Sequence, residues 1–361
     1  MNTWKRFLVV IGFAATASSL SASEFKWPIP AWIAPPKVPA SNPMSPAKVE
    51  LGRRLFYDIR LSGPGYMSCA SCHKLERGLT DGRKRAIGST GESHSLNTPQ
   101  IANVGYQSAL TFSDPTVHSL EQQALLPLFG IKPIEMGASG LEHQILSHIA
   151  GNAVYEKLFS EAFPGSRGKP DFQLIAKALA AFQRTLISAN SRYDQYKLGG
   201  QKGILSAGEK RGEQLFKSVR LGCAECHKGI HFTDAIPLPR YHNTGLYNVD
   251  GKGGLPDGVK GLIDHTGVAS DMGKFKTPSL RNISVSAPYM HDGSVATLDE
   301  VILHYEAGGR SAQQGSRSPL TSPLIRKFSL SSRERSDLIA FLKSLTDEDF
   351  LNDARLSSPF K

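Results

Sequence analysis

The sequence is poor in the residue types that most often carry redox or covalent chemistry. Its 361 residues include four cysteines, six methionines and three tryptophans. The tryptophans stand at positions 4, 27 and 32, so none is available over the rest of the chain. All four cysteines belong to two short motifs, and we therefore expect no disulfide even in an oxidising compartment.

Long hydrophobic runs are also missing, and the one near the N-terminus is too short to cross a bilayer. Lys5 and Arg6 precede an apolar stretch from Phe7 to Ala15, and small residues follow at 21–23. This order is typical of a cleavable signal peptide, which we predict over residues 1–23. It predicts export to the periplasm and no membrane span in the mature form. An uncleaved anchor is the alternative.

Signatures of nucleic-acid binding are not found. The formal net charge is +10, but the basic residues are scattered and form no arginine-rich arm. We expect no nucleic-acid partner. An acidic protein partner, or simple solubility, explains the charge better.

What the chain does contain is the pattern Cys-x-x-Cys-His, which occurs at 69–73 and again at 223–227. Two thiols at this spacing can each form a thioether with a haem vinyl group, and the next residue supplies an imidazole to the iron. Zinc or dithiol redox motifs are the alternative, but a zinc ribbon needs no histidine at that offset in both copies. We therefore predict two covalently bound haem c groups. The attachment residues and proximal ligands are Cys69, Cys72, His73, Cys223, Cys226 and His227.

The two motifs belong to an internal repeat, because each follows a similar helix pattern. Residues 45–56 begin with a serine cap and a proline and continue with apolar residues at helical spacing, and residues 205–216 repeat the pattern. The repeat predicts a mainly α fold with two cytochrome c-like haem domains and long loops. The predicted units are the signal peptide, an extended segment over 24–44, the first domain over 45–199, the second over 200–346 and a surface tail over 347–361.

Apolar periodicity predicts further helices between and after the repeats. They are expected at 139–163, 171–189, 298–305 and 332–345. Residues 233–275 are rich in glycine, proline and aspartate, and we expect a long loop there. Long ordered loops inside compact domains are often functional.

Several motifs outside the haem attachment sites carry a family resemblance. They are LEQQA at 120–124, PLF at 127–129, PIEMG at 133–137, KTPSLRN at 276–282 and APYMHDGS at 287–294. From about residue 45 to 345 the chain resembles the bacterial dihaem cytochrome c peroxidase superfamily. The resemblance implies an oxidoreductase that uses hydrogen peroxide, with peroxide binding at the first haem.

One position separates the branches of this superfamily. Typical peroxidases have a methionine ligand fourteen residues after the histidine of Tyr-x-His-x-Gly, and here that residue is Tyr305. A tyrosine there resembles the protein-modifying, MauG- and MbnH-like branch. Phenolate is a hard anionic donor that stabilises the higher oxidation states of iron. The resemblance implies that Tyr305 ligates the second haem. The alternative is a core tyrosine, with Met272 or Met290 as the ligand.

The resemblance also assigns the residues of the peroxide site. It places Glu135 over the open face of the first haem, where a carboxylate can take a proton from the near peroxide oxygen and deliver it to the far one. A glutamate in a surface salt bridge is the alternative. Gln123 matches the distal glutamine of the family and is expected in the same pocket.

Two further assignments follow from the resemblance. Family members hold a calcium ion between the haems, and the matching positions are Asn97 by side chain and Ser286 and Pro288 by carbonyl oxygen, donors that suit calcium. Arg281 is expected to pair with a haem propionate because guanidinium binds carboxylates in bidentate fashion. An ordinary surface cation is the alternative for Arg281.

The chain departs from the family at the position between the two haems. The family has a tryptophan there, whereas this sequence has Phe112 or Ser113. Phenylalanine is harder to oxidise than indole, so stepwise hole transfer through this position is expected to be poor. His94 could ligate the first iron in a resting form, as a loop histidine does in typical peroxidases. We expect instead that His94 is exposed to solvent.

Three functional hypotheses follow. The favoured one is a periplasmic enzyme that uses hydrogen peroxide to oxidise tyrosine or tryptophan side chains of a partner protein. The second is a conventional peroxidase that receives electrons from a small cytochrome c or copper protein. The third is a non-enzymatic electron carrier or sensor with both irons six-coordinate, and the glutamate and glutamine of the peroxide site argue against it.

Overall fold

The computed structural model describes residues 25–360 and is mainly helical. The predicted signal peptide lies outside the described residues. The helices of the first half are α1 (Pro46–Tyr57), α2 (Cys69–Cys72), α3 (Leu120–Phe129), α4 (Glu142–Ala150), α5 (Ala153–Ala162), α6 (Phe172–Arg184) and α7 (Arg192–Lys197). Those of the second half are α8 (Ala207–Lys217), α9 (Cys223–Cys226), α10 (Ile263–Thr266), α11 (Leu298–Glu306), α12 (Arg310–Gln313), α13 (Ser332–Lys343) and α14 (Glu348–Leu351). No helix in the described part of the chain is long and apolar enough to cross a membrane.

Helix α1 forms where the sequence predicts it. The hydroxyl of Ser45 accepts a hydrogen bond from the backbone N–H of Lys48, and Pro46 occupies the first helical position. The buried face of α1 packs against α6 at Gly52, where an added Cβ would lie 1.9 Å from the carbonyl oxygen of Ala178. The two helix backbones can therefore approach this closely only because residue 52 has no side chain.

Helices α8 and α13 repeat this arrangement in the second half. Ser206 and Glu209 form a capping box at the start of α8. An added Cβ at Gly212 would lie 2.0 Å from the carbonyl oxygen of Asp337 on α13. The internal repeat seen in the sequence is therefore also a repeat of helix packing, with one glycine at each crossing.

Each half has its own hydrophobic cluster. The first contains Leu51, Leu55, Leu128, Phe159 and Phe182. The second contains Phe216, Phe232, Ile302, Phe341 and Leu345. The exact bounds of the two predicted domains remain a prediction.

The predicted surface tail after residue 347 is wrong. This segment contains α14 and returns to the first cluster, where Phe350, Leu351 and Leu356 are buried. The hydroxyl of Tyr57 on α1 donates a hydrogen bond to the carbonyl oxygen of Leu356 at 2.7 Å. Its short apolar sequence shows no helical period long enough to predict this packing.

The helix predictions were otherwise correct in type but not in every boundary. Instead of one helix over 139–163 there are two, α4 and α5, because Gly151 ends the first and the side chain of Asn152 caps the second. Helices α3 and α7 were not predicted.

Residues 25–44 contain neither helix nor strand, and Trp32 fixes them by donating a hydrogen bond to the carbonyl oxygen of Ala189.

Residues 233–275 form a largely irregular loop whose ends are held together by a short antiparallel pair. Strand β1 (Tyr241–His242) pairs with β2 (Phe275–Lys276), with Tyr241 opposite Lys276. The pairing brings the KTPSLRN motif alongside the loop. It also brings His242 close to the second Cys-x-x-Cys-His motif.

Candidate haem and peroxide sites

Both Cys-x-x-Cys-His motifs begin with a single turn of helix. In α2 the backbone N–H of Ser68 donates to the hydroxyl of Ser71, and the N–H of His73 donates to the carbonyl oxygen of Cys69. In α9 the N–H of His227 donates to the carbonyl oxygen of Cys223. All four cysteines are free of disulfides.

The two histidines are oriented by hydrogen bonds to carbonyl oxygens. Nδ1 of His73 lies 2.9 Å from the oxygen of Leu79, and Nδ1 of His227 lies 3.1 Å from the oxygens of both Phe232 and Pro278. Because a carbonyl only accepts, Nδ1 carries the proton and the lone pair of Nε2 remains available to a metal. Burial also lowers the pKa of both histidines, which favours the neutral, metal-binding form.

These carbonyls are presented by buried residues in an unfavourable backbone conformation. Leu79 has φ of 66° and Phe232 has φ of 51°, in the left-handed region that favours glycine. Such a residue costs on the order of 1 to 2 kcal/mol. Strain at the equivalent point of both repeats fits a requirement to direct the carbonyl at the histidine. The thiols, the imidazoles and their hydrogen bonds therefore fit two covalently bound haems.

Sequence reasoning missed a charged pair beside the second motif. Nε2 of His242 lies 2.8 Å from a carboxylate oxygen of buried Asp234, and both lie close to the thiol of Cys226. The bond to Asp234 is the main reason that the pKa of His242 is raised to about 9, with Cys226 adding to it. Three such groups could hold a metal, but a thioether to haem uses the sulfur, so we interpret the pair as a charge near the second haem.

Tyr305 lies on α11, which begins with a capping box formed by Thr297 and Glu300. Burial raises the pKa of the Tyr305 phenol, and the thiols of Cys226 and Cys223 raise it further, which places the phenol near the second motif. Its hydroxyl has no hydrogen-bond partner within residues 25–360. Met290, one of the alternative ligands, packs against the second hydrophobic cluster.

Glu135 lies on a loop that closes over the first motif. Burial raises the pKa of its carboxyl, and its charge in turn raises the pKa of the thiols of Cys69 and Cys72. No lysine or arginine of the described residues forms an ion pair with Glu135, so the surface salt-bridge alternative is not observed. The charge of the carboxyl therefore acts on both thiols of the first haem attachment site, and its raised pKa suits an acid–base group.

Gln123 lies on α3, and the end of this helix holds the loop that carries Glu135. The hydroxyl of Ser119 caps α3, and the N–H of Met136 donates to the carbonyl oxygen of Pro127 at 2.9 Å. Gln123 is half-buried, and its side-chain amide has no partner in the described part of the chain. The amide is therefore available to a ligand.

The prediction that His94 is exposed to solvent is wrong. Its side chain is only 8% exposed, and Nδ1 lies 4.0 Å from Oε1 of Glu135. Burial lowers the pKa of His94. A tight backbone reversal before it turns the side chain inward, which spacing alone did not indicate.

Arg281 is completely buried and has a protein partner. Nη1 and Nη2 donate to the two carboxylate oxygens of Asp194 at 2.7 and 2.8 Å, and Nε donates to the carbonyl oxygen of Ile230. The surface-cation alternative is therefore wrong. The expected bidentate carboxylate is present, but it belongs to Asp194 on α7.

The position between the haems is connected to the KTPSLRN motif. The N–H of Lys276 donates to the carbonyl oxygen of Phe112 at 2.9 Å, and Nζ of Lys276 donates to Oε1 of Gln107 at 2.7 Å. Burial lowers the pKa of Lys276 to about 8. Ser113 is buried and Phe112 is half-buried, so no oxidisable ring occupies this position.

The residues expected at the calcium site are partly assembled. The N–H of Asn97 donates to the carbonyl oxygen of His291 at 2.8 Å, and its Nδ2 donates to the oxygen of Arg83 at 2.7 Å. Asn97 is therefore fixed beside the segment that contains Ser286 and Pro288. Its Oδ1 accepts no hydrogen bond from residues 25–360.

The chain is similar to known di-haem proteins. The model of the di-haem cytochrome c peroxidase family matches residues 46–203. The chain is 38% identical to the methylamine utilization protein MauG of Methylorubrum extorquens over 311 residues, which cover 86% of this chain and 81% of MauG. It is 34% identical to the cytochrome-c peroxidase IdrP1 of Denitromonas iodatirespirans, over 94% of this chain and 92% of that protein.

A solved structure extends the likeness to the fold. A MauG-like protein associated with microbial copper homeostasis superposes with a TM-score of 0.89 at 46% identity, over 93% of this chain and 100% of that one. The chain belongs to the di-haem cytochrome c peroxidase family. Within the family it is a MauG-like oxidoreductase that acts on peroxide and carries two haem groups.

Proposed function

We propose that the protein is a periplasmic enzyme that uses hydrogen peroxide to oxidise tyrosine or tryptophan side chains of a partner protein. The observation that carries the proposal is Tyr305, a phenol without a hydrogen-bond partner within residues 25–360, near the second attachment motif. Similarity to MauG and to the MauG-like protein of copper homeostasis supports it. The periplasmic location rests on the predicted signal peptide.

Each haem, when bound, supplies an iron that can exchange electrons with peroxide or with a partner. Nε2 of His73 would hold the first iron, and Nε2 of His227 and the phenolate oxygen of Tyr305 would hold the second. Ionising a buried phenol is unfavourable in itself, but a metal cation favours the phenolate.

Glu135 and Gln123 have different roles in the proposed reaction with peroxide. The carboxylate of Glu135 takes the proton from the near oxygen of peroxide and returns it to the far oxygen, which leaves as water. The side-chain amide of Gln123 donates a hydrogen bond that orients peroxide in the same pocket.

We also propose one calcium ion between the haems, bound by Oδ1 of Asn97 and by the carbonyl oxygens of Ser286 and Pro288. All three donors are oxygens, as calcium prefers. The ion would join loops of the two halves. Removal of calcium with a chelator is expected to lower the thermal stability of the haem protein, and added calcium is expected to restore it.

The test of the proposed function is mass spectrometry of co-secreted candidate partner proteins after treatment with peroxide. We expect an added oxygen or a cross-link at a tyrosine or tryptophan with the wild-type enzyme. With Glu135→Gln we expect the modification to be slowed by about a hundredfold or more, the usual contribution of a general acid–base group. Modification at the wild-type rate by this variant would contradict the role of Glu135.

A conventional peroxidase is the second candidate. It is favoured by Phe112 and Ser113, since neither can carry a hole from one haem to the other, and by the similarity to IdrP1. It predicts rapid oxidation of a reduced small cytochrome c or copper protein by peroxide, with no covalent change in any protein. The same mass spectra distinguish the two candidates.

A further inference from the structure

The loop before Asn97 forms a tight reversal that rests on the Glu135 loop. Within it, the N–H of His94 donates to the carbonyl oxygen of Ala86 at 2.8 Å. Across the contact, the N–H of Ser89 donates to the carbonyl oxygen of Glu135 at 2.8 Å. An added Cβ at Gly88 would lie 1.8 Å from the carbonyl oxygen of Ile134. The relative position of the two loops is thus fixed through their backbones.

This contact places the imidazole of His94 next to the carboxyl of Glu135. Nδ1 of His94 lies 4.0 Å from Oε1 of Glu135, and the Glu135 side chain is 48% exposed, so it is free to turn. Direct hydrogen bonds to nitrogen are about 2.7 to 3.2 Å long, so an approach of roughly 1 Å would form one. Nε2 of His94 is buried and has no partner within residues 25–360.

Other charged groups also act on this imidazole. The backbone carbonyl of Ile134 favours its protonated form most, and the carboxylates of Asp81, on the segment after the first motif, and of Glu92, two residues before His94, also favour it. Burial opposes that form and is the larger effect. The imidazole is therefore neutral at rest, and two nearby carboxylates can stabilise a positive charge on it for a short time.

We propose that His94 is a positioning residue and proton partner for Glu135, which rests on the proposed role of Glu135 as the acid–base group. The proton of the Glu135 carboxylic acid passes to Nδ1 of His94, leaving a carboxylate and an imidazolium, so the pair keeps its total charge. The carboxylate then accepts the proton of peroxide. The carboxyl delivers that proton to the far oxygen of peroxide, and Nδ1 of His94 then returns its proton to the carboxylate, so that both groups recover their starting forms.

The physical reason for such a partner is the partial desolvation of Glu135. The surrounding residues raise the pKa of this carboxyl, which disfavours the carboxylate form that must act as the base. A protonated imidazole nearby stabilises the carboxylate and counteracts the effect. Without His94, we therefore expect the reaction with peroxide to reach half of its maximal rate at a higher pH.

The experiment uses the haem-loaded enzyme and two variants, His94→Gln and Glu92→Gln. The rate constant for reaction with peroxide is measured by stopped flow from pH 5 to 9, and the dissociation constant of cyanide is measured over the same range, because hydrogen cyanide also releases a proton on binding. For His94→Gln we expect the half-maximal pH to rise by about one unit, with the rate about tenfold lower below that pH. For Glu92→Gln, which keeps the imidazole, we expect a smaller shift in the same direction.

The control is His148→Gln, which changes an exposed histidine on α4 and should leave both profiles unchanged. Unchanged profiles in both variants would overturn the proposal. So would loss of a low-spin ferric signal in His94→Gln, because His94 would then be an iron ligand. If His94→Gln does not bind two haems, the Glu92→Gln profiles decide between the outcomes. Glu135→Gln reacting at the wild-type rate would refute the proposed function itself.

Discussion

At the scale of single residues, Tyr305 carries the proposal that the chain oxidises a partner protein. Its phenol is near the second haem attachment motif, and no protein group of the described residues satisfies its hydroxyl. Desolvation by the surrounding residues disfavours the charged phenolate unless a cation lies close to it. Under the proposed function, a bond to iron supplies that cation.

Replacing Tyr305 by phenylalanine is expected to change the ferric state of the second haem. The phenylalanine fills the same volume but offers no ligand, so the low-spin signal assigned to this haem in electron paramagnetic resonance should be lost. The reduction potential of the second haem should rise because an anionic donor is removed. Tyr196→Phe, at a half-buried tyrosine of α7, is the control and should leave the spectrum unchanged. A low-spin signal that persists in Tyr305→Phe would show that another residue is the ligand.

His242 makes stability depend on pH. Its pKa is raised to about 9 by Asp234 and Cys226, and the neutral thioether sulfur of the haem protein removes part of that shift. A raised folded-state pKa stabilises the protein below the unfolded value of about 6.5 and loses its effect as the pH rises through the folded value. We expect this group to contribute about 1 to 2 kcal/mol at pH 6 that is absent at pH 9.5.

The measurement is the free energy of unfolding in denaturant for wild type and His242→Gln at both pH values. Other groups titrate in this range, including Lys276, and they contribute equally to both proteins. The difference between the proteins should therefore shrink toward alkaline pH. A difference that stays constant would show that His242 carries no extra charge in the folded state.

At the scale of helices, the two halves are built around the same close crossing. Gly52 lies against α6 in the first half, and Gly212 lies against α13 in the second. In each case a phenylalanine four residues further on packs into the core of its own half, Phe56 in the first and Phe216 in the second. Both halves therefore have the same close packing of two helices, and this packing requires a residue without a side chain at the glycine position.

Gly212→Ala should destabilise the second half. The new methyl group would lie 2.0 Å from the carbonyl oxygen of Asp337, a backbone atom that cannot move without shifting α13. Overpacking of this kind costs about 1 to 3 kcal/mol, against a small gain from the better helix propensity of alanine. Thermal unfolding measures the change. Gly203→Ala is the control, since nothing lies within 4 Å of its added methyl group, and its effect should stay within about 0.5 kcal/mol.

At the scale of the whole molecule, long-range contacts tie the ends and the two halves together. The C-terminal segment leaves α13 of the second half and buries Phe350 against the first hydrophobic cluster. In addition, Asp194 on α7 forms an ion pair with Arg281 of the KTPSLRN motif. The halves are therefore not connected by the intervening chain alone.

Phe350→Ala should lower the stability of the first half although it lies at the far end of the chain. Phe350 is 4% exposed, and truncation of a buried phenylalanine costs about 3 to 5 kcal/mol. Phe360→Ala, ten residues later and 39% exposed, should have little effect. Calorimetry of both variants checks the prediction. Equal transitions in the two would mean that the segment does not pack as described.

Much of the fold and of the haem chemistry could be predicted from the sequence because the signals are local. The spacing within 69–73 and 223–227 fixes which atoms can reach one haem, and Ser45 and Ser206 start their helices through neighbouring backbone groups. Tyr305 was singled out by its offset from a motif on the same stretch of chain. Such signals need only a few residues, so they can be recognised without knowing what lies across the core.

The positions of His94, Arg281 and the C-terminal segment were decided by the tertiary structure alone. Each depends on a partner far away in the sequence: Glu135 for His94, Asp194 for Arg281 and α1 for Leu356. Whether a polar side chain faces water or a buried partner is set by which segments fold against it, and a burial energy of a few kcal/mol outweighs its local preference. The sequence alone indicated which residues carry the haem chemistry of this protein. Only the folded chain determined which distant groups lie beside His94, Arg281 and Leu356.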